Sequence, residues 1–281
     1  REGRRRLLRA LLALAAQQGR AEPTEDGWRL TGASGPDFDT VVRQHPASVA
    51  QLTLVARAGL HLPELLRGQA DPVELFFGET SLETVRHLYD LDPASGPANR
   101  RAREVAGSLV ASWPADRPLR ILEIGAGTGG LTGALLPVLP RERTRYTFTD
   151  VSDAFFAKAA DRFAAYDFVD HRRLDIDRDP AEQGFPPGRY DLVVAANSLH
   201  ATPDLRRSLR HMAALLGDGG HLMLLESEEL RTKLLPWGLF DDYWTFTDTD
   251  LRTSAVVSGP RLRPLLAECG FGDVTVPYGN A

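Results

Sequence analysis

A single cysteine, Cys269, stands in a chain of 281 residues, so no disulfide can form within it. That suits a reducing compartment and predicts a cytoplasmic setting. Long apolar runs are missing, none reaching the length of a membrane span, and no signal peptide is visible. A basic excess is missing too: the formal net charge is −5, which argues against a general nucleic-acid binder. Neither H-x-x-x-H nor C-x-x-C spacing occurs, so no metal site is expected. Internal repeats and low-complexity tracts are also lacking. The chain begins at Arg1 rather than Met and ends abruptly in Tyr278-Gly-Asn-Ala, which reads as a piece of something longer.

What is present is ordinary for a soluble globular protein: 43% hydrophobic and 25% charged residues. The length has room for roughly two domains. The pattern divides near residue 116. Before it, residues 5–17 alternate Arg with Leu and Ala at helical spacing, and the cluster Arg4–Arg6 reads as a solvated helix face. Gly27–Leu30 reads as a short strand, so that helix and strand resemble a small winged-helix-like unit. Residues 47–70 are helical by spacing, Pro72–Phe77 is a turn, and Ser81–Leu91 and Asn99–Trp113 are further helices. A mostly helical cap, residues 1–116, is expected to bring Tyr89 and Asn99 over the remainder, residues 117–281.

From Pro118 strands and helices alternate. Strand candidates are Ile121–Ile124, Arg145–Thr149, a stretch around Arg172–Leu174, Leu192–Ala195 and His221–Leu225. Helical segments lie between, including Asp153–Ala164 and Leu205–Leu216, with Arg261–Glu268 last. Gly217 to Gly220 is expected to end the helix before the fifth strand. Such alternation predicts an α/β fold with a doubly wound parallel sheet.

The rest is arranged around Arg120 to Leu131, RILEIGAGTGGL. An apolar strand runs into Gly125, Gly127, Gly129 and Gly130, and a helical pattern follows. Strand, glycine loop and helix together hold a nucleotide-like ligand, since glycine lets the backbone turn tightly and approach closely. The glycines alone also satisfy the dinucleotide fingerprint. Glu123 moves the reading towards S-adenosylmethionine, because a carboxylate at the strand end answers a cationic methionine amine. Acids after the next two strands agree. Asp150 follows the second strand, where an acid accepts ribose hydroxyls; a helix cap is its other reading, for which Ser152 serves equally well. Asp175 follows the third strand and is placed to accept the adenine amino group, with Asp177 and Asp179 as alternatives. Asn197 ends the fourth strand, on the sulfonium side.

His200 lies just beyond the fourth strand and Glu226 ends the fifth. If those strands are neighbours, both residues emerge at the carboxyl edge, where such sheets bind ligands. A carboxylate fixes the tautomer of a histidine, whose other nitrogen then takes a proton from substrate.

Several stretches carry a wider resemblance: LPELLRGQADPVELFF (62–77), LYDLDP (88–93) with Asn99, LEIGAGTGG (122–130), YTFTDVS (146–152), LVVAANSLHAT (192–202), MLLE (223–226) and GLFDDYWTFTDTDLR (238–252). The combination resembles the methyltransferase domains embedded in modular polyketide synthases. The resemblance implies a class I, Rossmann-like methyltransferase fold with a helical lid, and S-adenosylmethionine as cofactor. It further implies an acyl chain on the phosphopantetheine arm of an acyl carrier protein as substrate, with other synthase domains as neighbours. His200 and Glu226 match the catalytic pair of that family. Tyr89, Asn99 or Tyr243 is then expected to donate a hydrogen bond to the substrate oxygen. One departure stands out: many carbon-methylating relatives carry an aromatic pair before the asparagine, and here Pro97 and Ala98 occupy those positions. Methylation at the α-carbon of a β-ketoacyl thioester is the leading expectation and O-methylation of the β-hydroxyl or enol the alternative. More remote are a nicotinamide oxidoreductase and an inactive structural domain.

Overall fold

The structure is a computed structural model that describes residues 2–32, 35–78, 81–93, 95–226, 230–252, 254–256 and 259–276. Its contacts divide the chain into two compact units, Arg1–Gly96 with Glu229–Thr245, and Pro97–Glu228 with Phe246–Ala281. This line differs from the 116/117 division in two ways. The helix Gly96–Ser112 joins the second unit, because Ala102 and Ala106 are buried in that unit's core. The stretch 229–245 joins the first, because Leu234 and Leu239 pack with Leu7, Leu54 and Phe76.

In the first unit the helix Glu2–Gln17 is followed by a hairpin, β1 (Ala21–Thr24) and β2 (Gly27–Leu30). Only β2 was expected. Its partner carries Pro23, which a two-stranded hairpin tolerates because each strand has a free edge. The helical stretch 47–70 is broken into Val49–Leu60 and Leu62–Arg67. Pro63 lacks an N–H to continue the first helix but suits the opening turn of a second. Pro72–Phe77 is a short helix rather than a turn, capped by Asp71, whose side chain accepts from the Val73 N–H at 2.9 Å. Phe76, Phe77, Trp237 and Phe240 form an aromatic cluster with ring centroids 5.9–6.2 Å apart.

The second unit is built on five parallel strands: β3 (Leu119–Ile124), β4 (Thr144–Asp150), β5 (Val169–Arg173), β6 (Tyr190–Ala196) and β7 (Leu216–Leu225), in the order β5-β4-β3-β6-β7. Strand residues alternate between the two faces. Ile121, Tyr146, Phe148, Leu192 and Val194 pack on one side with Leu131 and Leu135 of the helix Gly130–Leu135. Leu122, Ile124, Val193 and Ala195 pack on the other with Leu205, Leu209 and Met212 of the helix Leu205–Leu215. Those three recur at helical spacing, and each fully buried side chain contributes roughly 1.5–3 kcal/mol.

Two expectations change. Gly217 to Gly220 lies inside β7, not in the preceding loop, and the ladder with β6 is irregular there: Tyr190 pairs with Leu216, then Leu192 with His221. Between β5 and β6 the described connection carries a 3-10 turn, Ala181–Gln183, in place of a crossover helix. The order still brings β3 to the centre and makes β6 and β7 neighbours, so the ends of β3, β6 and β7 open onto one edge.

Candidate active site

The glycine loop leaves β3 with φ of 63° at Gly125, 54° at Gly127 and 79° at Gly129, a region glycine enters freely. A Cβ on Gly125 would lie 2.5 Å from Cβ of Ser198, in the loop after β6. At Gly127 the nearest atom is a backbone oxygen 4.0 Å away, so that glycine borders open space. Asp150 holds the loop: its Oδ2 accepts the Gly127 N–H at 3.0 Å and its Oδ1 the Ser152 N–H at 2.9 Å. Ser152 caps the following turn, accepting from Ala154 N–H, so the cap role falls to it and not to Asp150. Burial holds the Asp150 carboxyl above its usual range.

Glu123 lies beneath the loop and is 1% exposed. Its Oε2 accepts the hydroxyls of Thr132 at 2.5 Å and Tyr146 at 2.6 Å. Burial pushes the carboxyl up to about 7 despite those bonds, and the charge of Asp150 adds to the rise. Glu123 is therefore a buried carboxyl that gives up its proton only near neutral pH. Tyr146 and Thr132 went unnoticed in the sequence because one reads as a core aromatic and the other as an ordinary helix residue.

Among the acids after β5, Asp177 is committed to Arg207, whose Nε lies 3.0 Å from its Oδ1. Asp179 accepts the Ala181 N–H. Asp175 is half-buried, its Oδ1 accepting the Asp177 N–H, and its backbone is held by the Gln183 amide through bonds of 2.9 and 2.8 Å. The side chains of Asp175 and Asp179 each accept a single backbone N–H, and of those two Asp175 is the half-buried one and Asp179 the exposed one. Asn197 ends β6 with φ of 50°, the one positive value at a non-glycine among the described residues, and its N–H donates to Leu225 O at 2.8 Å. This left-handed residue turns the chain sharply, and asparagine tolerates the conformation best after glycine.

That turn delivers His200 on a 3-10 turn, Leu199–Ala201. Its Nδ1 lies 2.7 Å from Oε2 of Glu226, with side-chain exposures of 16% and 9%. Glu226 Oε1 also accepts the N–H groups of Ser198 at 3.1 Å and Leu199 at 2.8 Å. Three donors converge on one carboxylate, which suits a negative charge. Behind the turn lies Arg252, 2% exposed and paired with Asp248 at 2.6 Å. The sequence reading assigned this pair no role, although Asp and Arg four apart were its signal.

The expected substrate residues are spread over both units. Asn99 is buried on the helix Gly96–Ser112. In the first unit the Tyr89 ring lies 6.1 Å from Trp237. There too Tyr243 is buried, its hydroxyl lacking a hydrogen-bond partner among the described residues and pushed up to about 12 by burial. The described residues contain no group of three metal-ligating side chains and no helix long and apolar enough to cross a membrane.

Residues 122–222 match the family described as a methyltransferase domain. The polyketide synthase component of lovastatin nonaketide synthase from Aspergillus terreus is 36% identical over 264 residues, a match covering 92% of this chain and 8% of that protein. The crystal structure of the CurJ carbon methyltransferase aligns with a TM-score of 0.91 at 36% identity, over 98% of this chain and 75% of that one. The chain belongs to the S-adenosylmethionine-dependent methyltransferase domains of polyketide synthases. The trans-methyltransferase CalH, solved with S-adenosylhomocysteine, aligns at 28% identity and a TM-score of 0.68, over 83% of this chain and 64% of that one. The domain thus has the class I methyltransferase fold, and it spans less than a tenth of the lovastatin protein's length. Its residues fit the cofactor on their own chemistry. A carboxyl held at about 7 by burial, with a second acid adding to the rise, is a setting that a cationic amine relieves. The open side of Gly127 leaves room for a ligand against the backbone.

Proposed function

We propose that this domain moves a methyl group from S-adenosylmethionine to the α-carbon of a β-ketoacyl thioester, carried on the phosphopantetheine arm of an acyl carrier protein. The observation that carries the reading is the 2.7 Å contact between His200 and Glu226. An ionised Glu226 only accepts, so Nδ1 holds the proton and Nε2 keeps its lone pair. Nε2 has no hydrogen bond among the described residues.

The cofactor supplies a methyl group already activated by its positive sulfur. The chain's residues do the rest. His200 Nε2 takes the α-proton, leaving an enolate, and Glu226 offsets the charge that appears on the imidazole. Transfer of that methyl from sulfur to the α-carbon would give an α-methyl-β-ketoacyl thioester and S-adenosylhomocysteine. The imidazolium then returns its proton to water. A donor on the enolate oxygen lowers the barrier further, and Tyr89, Asn99 and Tyr243 are the candidates. For the cofactor, Gly125, Gly127 and Gly129 form the cradle and Glu123 offsets the methionine amine. Asp150 takes the ribose hydroxyls, Asp175 the adenine amine, and Asn197 borders the sulfonium side. The domain works beside other synthase domains, as its relatives' names suggest.

One observation favours a second reading, methylation of a β-hydroxyl oxygen: Pro97 and Ala98 precede Asn99. The same histidine would deprotonate the hydroxyl. Both readings are tested by incubating the protein and cofactor with matched β-keto and β-hydroxy acyl carriers, then locating the added mass by fragmentation. Mass on the α-carbon is expected; mass on the β-oxygen overturns the acceptor assignment. His200→Ala should keep cofactor binding and lose roughly 10²–10⁴ in turnover. Full turnover in that variant overturns the base.

A further inference from the structure

His200 rides on a single 3-10 turn, which is too short to hold its own shape. Two opposite charges grip that turn from its two ends. At the amino end, Glu226 accepts the N–H groups of Ser198 and Leu199. At the carbonyl end, Arg252 donates to His200 O at 2.9 Å, to Thr202 O, and to Pro203 O at 3.2 Å. Its other bonds run to Ala255 O at 3.1 Å and to Asp248 Oδ1 at 2.6 Å. A guanidinium has five N–H donors, and these are five acceptors. The Arg252 side chain is wholly buried. Asp248 continues the brace: its Oδ2 accepts the N–H of Leu205, the first residue of the helix Leu205–Leu215, at 2.9 Å. Thr247 adds a backbone bond to Pro203 O at 2.8 Å. The segment after residue 245 is thereby fastened to the loop that carries the histidine.

We propose that Arg252 is a positioning residue for methyl transfer, holding the His200 backbone so that the imidazole meets Glu226 on one side and substrate on the other. The inference rests on the reading of His200 as the base. Burying a guanidinium and its carboxylate is costly, and an apolar pair in their place is often as stable, so stability alone does not account for the pair. What a guanidinium adds is a planar fork that fixes several carbonyls at once. Lysine, with three donors on one nitrogen, cannot reproduce it.

The test compares Arg252→Met, Arg252→Lys and His200→Ala in the whole chain. Cofactor affinity is measured calorimetrically, turnover with a β-ketoacyl pantetheine thioester, and the His200 Nδ1–H resonance by NMR. Arg252→Met is expected to fold, to bind S-adenosylmethionine as the parent does, to lose the hydrogen-bonded resonance, and to lose about 10²-fold in kcat, the cost of a small misplacement of a reacting group. Arg252→Lys decides if the Met variant does not fold, with an expected loss of about tenfold and the same weakened resonance. Cofactor affinity falling in step with turnover means a general loss of structure and overturns the inference. So does full turnover in either Arg252 variant that folds. Full turnover in His200→Ala instead refutes the base itself; loss there with parental turnover in both Arg252 variants refutes only the positioning role.

Discussion

Replacing Glu123 by Gln removes a buried ionisable group and keeps a hydrogen-bonding side chain of the same shape. In the folded protein the carboxyl sits at about 7 against an ordinary 4.5, and burial is the main cause. That difference is worth about 3 kcal/mol between the two protonation states. Below pH 4.5 the group is neutral whether the chain is folded or not, so nothing is lost. As pH rises from 4.5 to 7 the unfolded chain ionises first, and folding weakens progressively. Above 7 the full penalty of about 3 kcal/mol stands against the folded state. Glu123→Gln removes it, flattening the pH dependence and raising the melting temperature at alkaline pH by several degrees for a unit of this size. Asp150, shifted upward by burial as well, leaves a residual slope of the same sign in the variant. If Glu123 offsets the methionine amine as proposed, the variant should nevertheless bind S-adenosylmethionine more weakly. Affinity of the parent protein should decline as pH falls through about 7, where Glu123 becomes neutral, and the variant should not follow that decline. Scanning calorimetry across pH, paired with titration of the cofactor, reads both effects. An unchanged stability slope refutes the burial argument, and an unchanged affinity refutes the electrostatic role.

The loop glycines separate packing from ligand contact. Both alanine variants carry the cost of a left-handed φ, about 1–2 kcal/mol, but Gly125→Ala should destabilise the domain further because its Cβ would meet Ser198 at 2.5 Å, whereas at Gly127 the nearest atom is 4.0 Å away and cofactor affinity should be the larger loss. Equal melting losses in the two would contradict this. Asp175→Ala should weaken cofactor binding, while Asp177→Asn should chiefly free Arg207 and leave affinity intact. Calorimetric titration of both variants distinguishes them, and the opposite order moves the adenine contact to Asp177. Tyr243→Phe deletes a buried hydroxyl without a partner among the described residues. Its melting temperature should hold or rise, since such a group costs about 1–3 kcal/mol when buried unpaired. Turnover should fall if that hydroxyl serves the enolate oxygen, and a parental rate leaves the donor role to Tyr89 or Asn99.

The parts of the fold that were legible in the sequence are those where burial is symmetric. β3, β4 and β6 are covered on both faces, so their apolar runs stand out and the ends fall within two residues of expectation. β5 is an edge strand reading VDHRR, half-exposed along its length, and the reading slid towards the apolar residue after it. The first half of β7 was hidden by its glycines, which there form an irregular ladder rather than a loop. The His200–Glu226 contact was legible because Glu226 directly follows β7 and His200 lies in the short turn after β6, and neighbouring parallel strands deliver their ends side by side. Arg252 was not, because its meaning lies in the carbonyls of residues 200–203, some fifty positions away in sequence. Nothing local distinguishes a buried guanidinium brace from a helix-surface pair at the same spacing.

Two glutamates at the carboxyl edge show how environment divides one chemistry into two roles. Glu123 receives two hydroxyl hydrogens beneath the loop, where desolvation outweighs them and the proton is held to about 7. Glu226 receives two backbone N–H groups and an imidazole, all fixed by the fold. Backbone donors cannot rotate away, so they hold the Glu226 carboxylate in one orientation against the His200 ring, as the proposed dyad requires. A hydroxyl-lined carboxyl adapts instead, since each hydroxyl can turn its hydrogen to suit either protonation state. The division explains why one acid stands under a hydroxyl-lined loop and the other against a rigid turn that a buried arginine braces from behind.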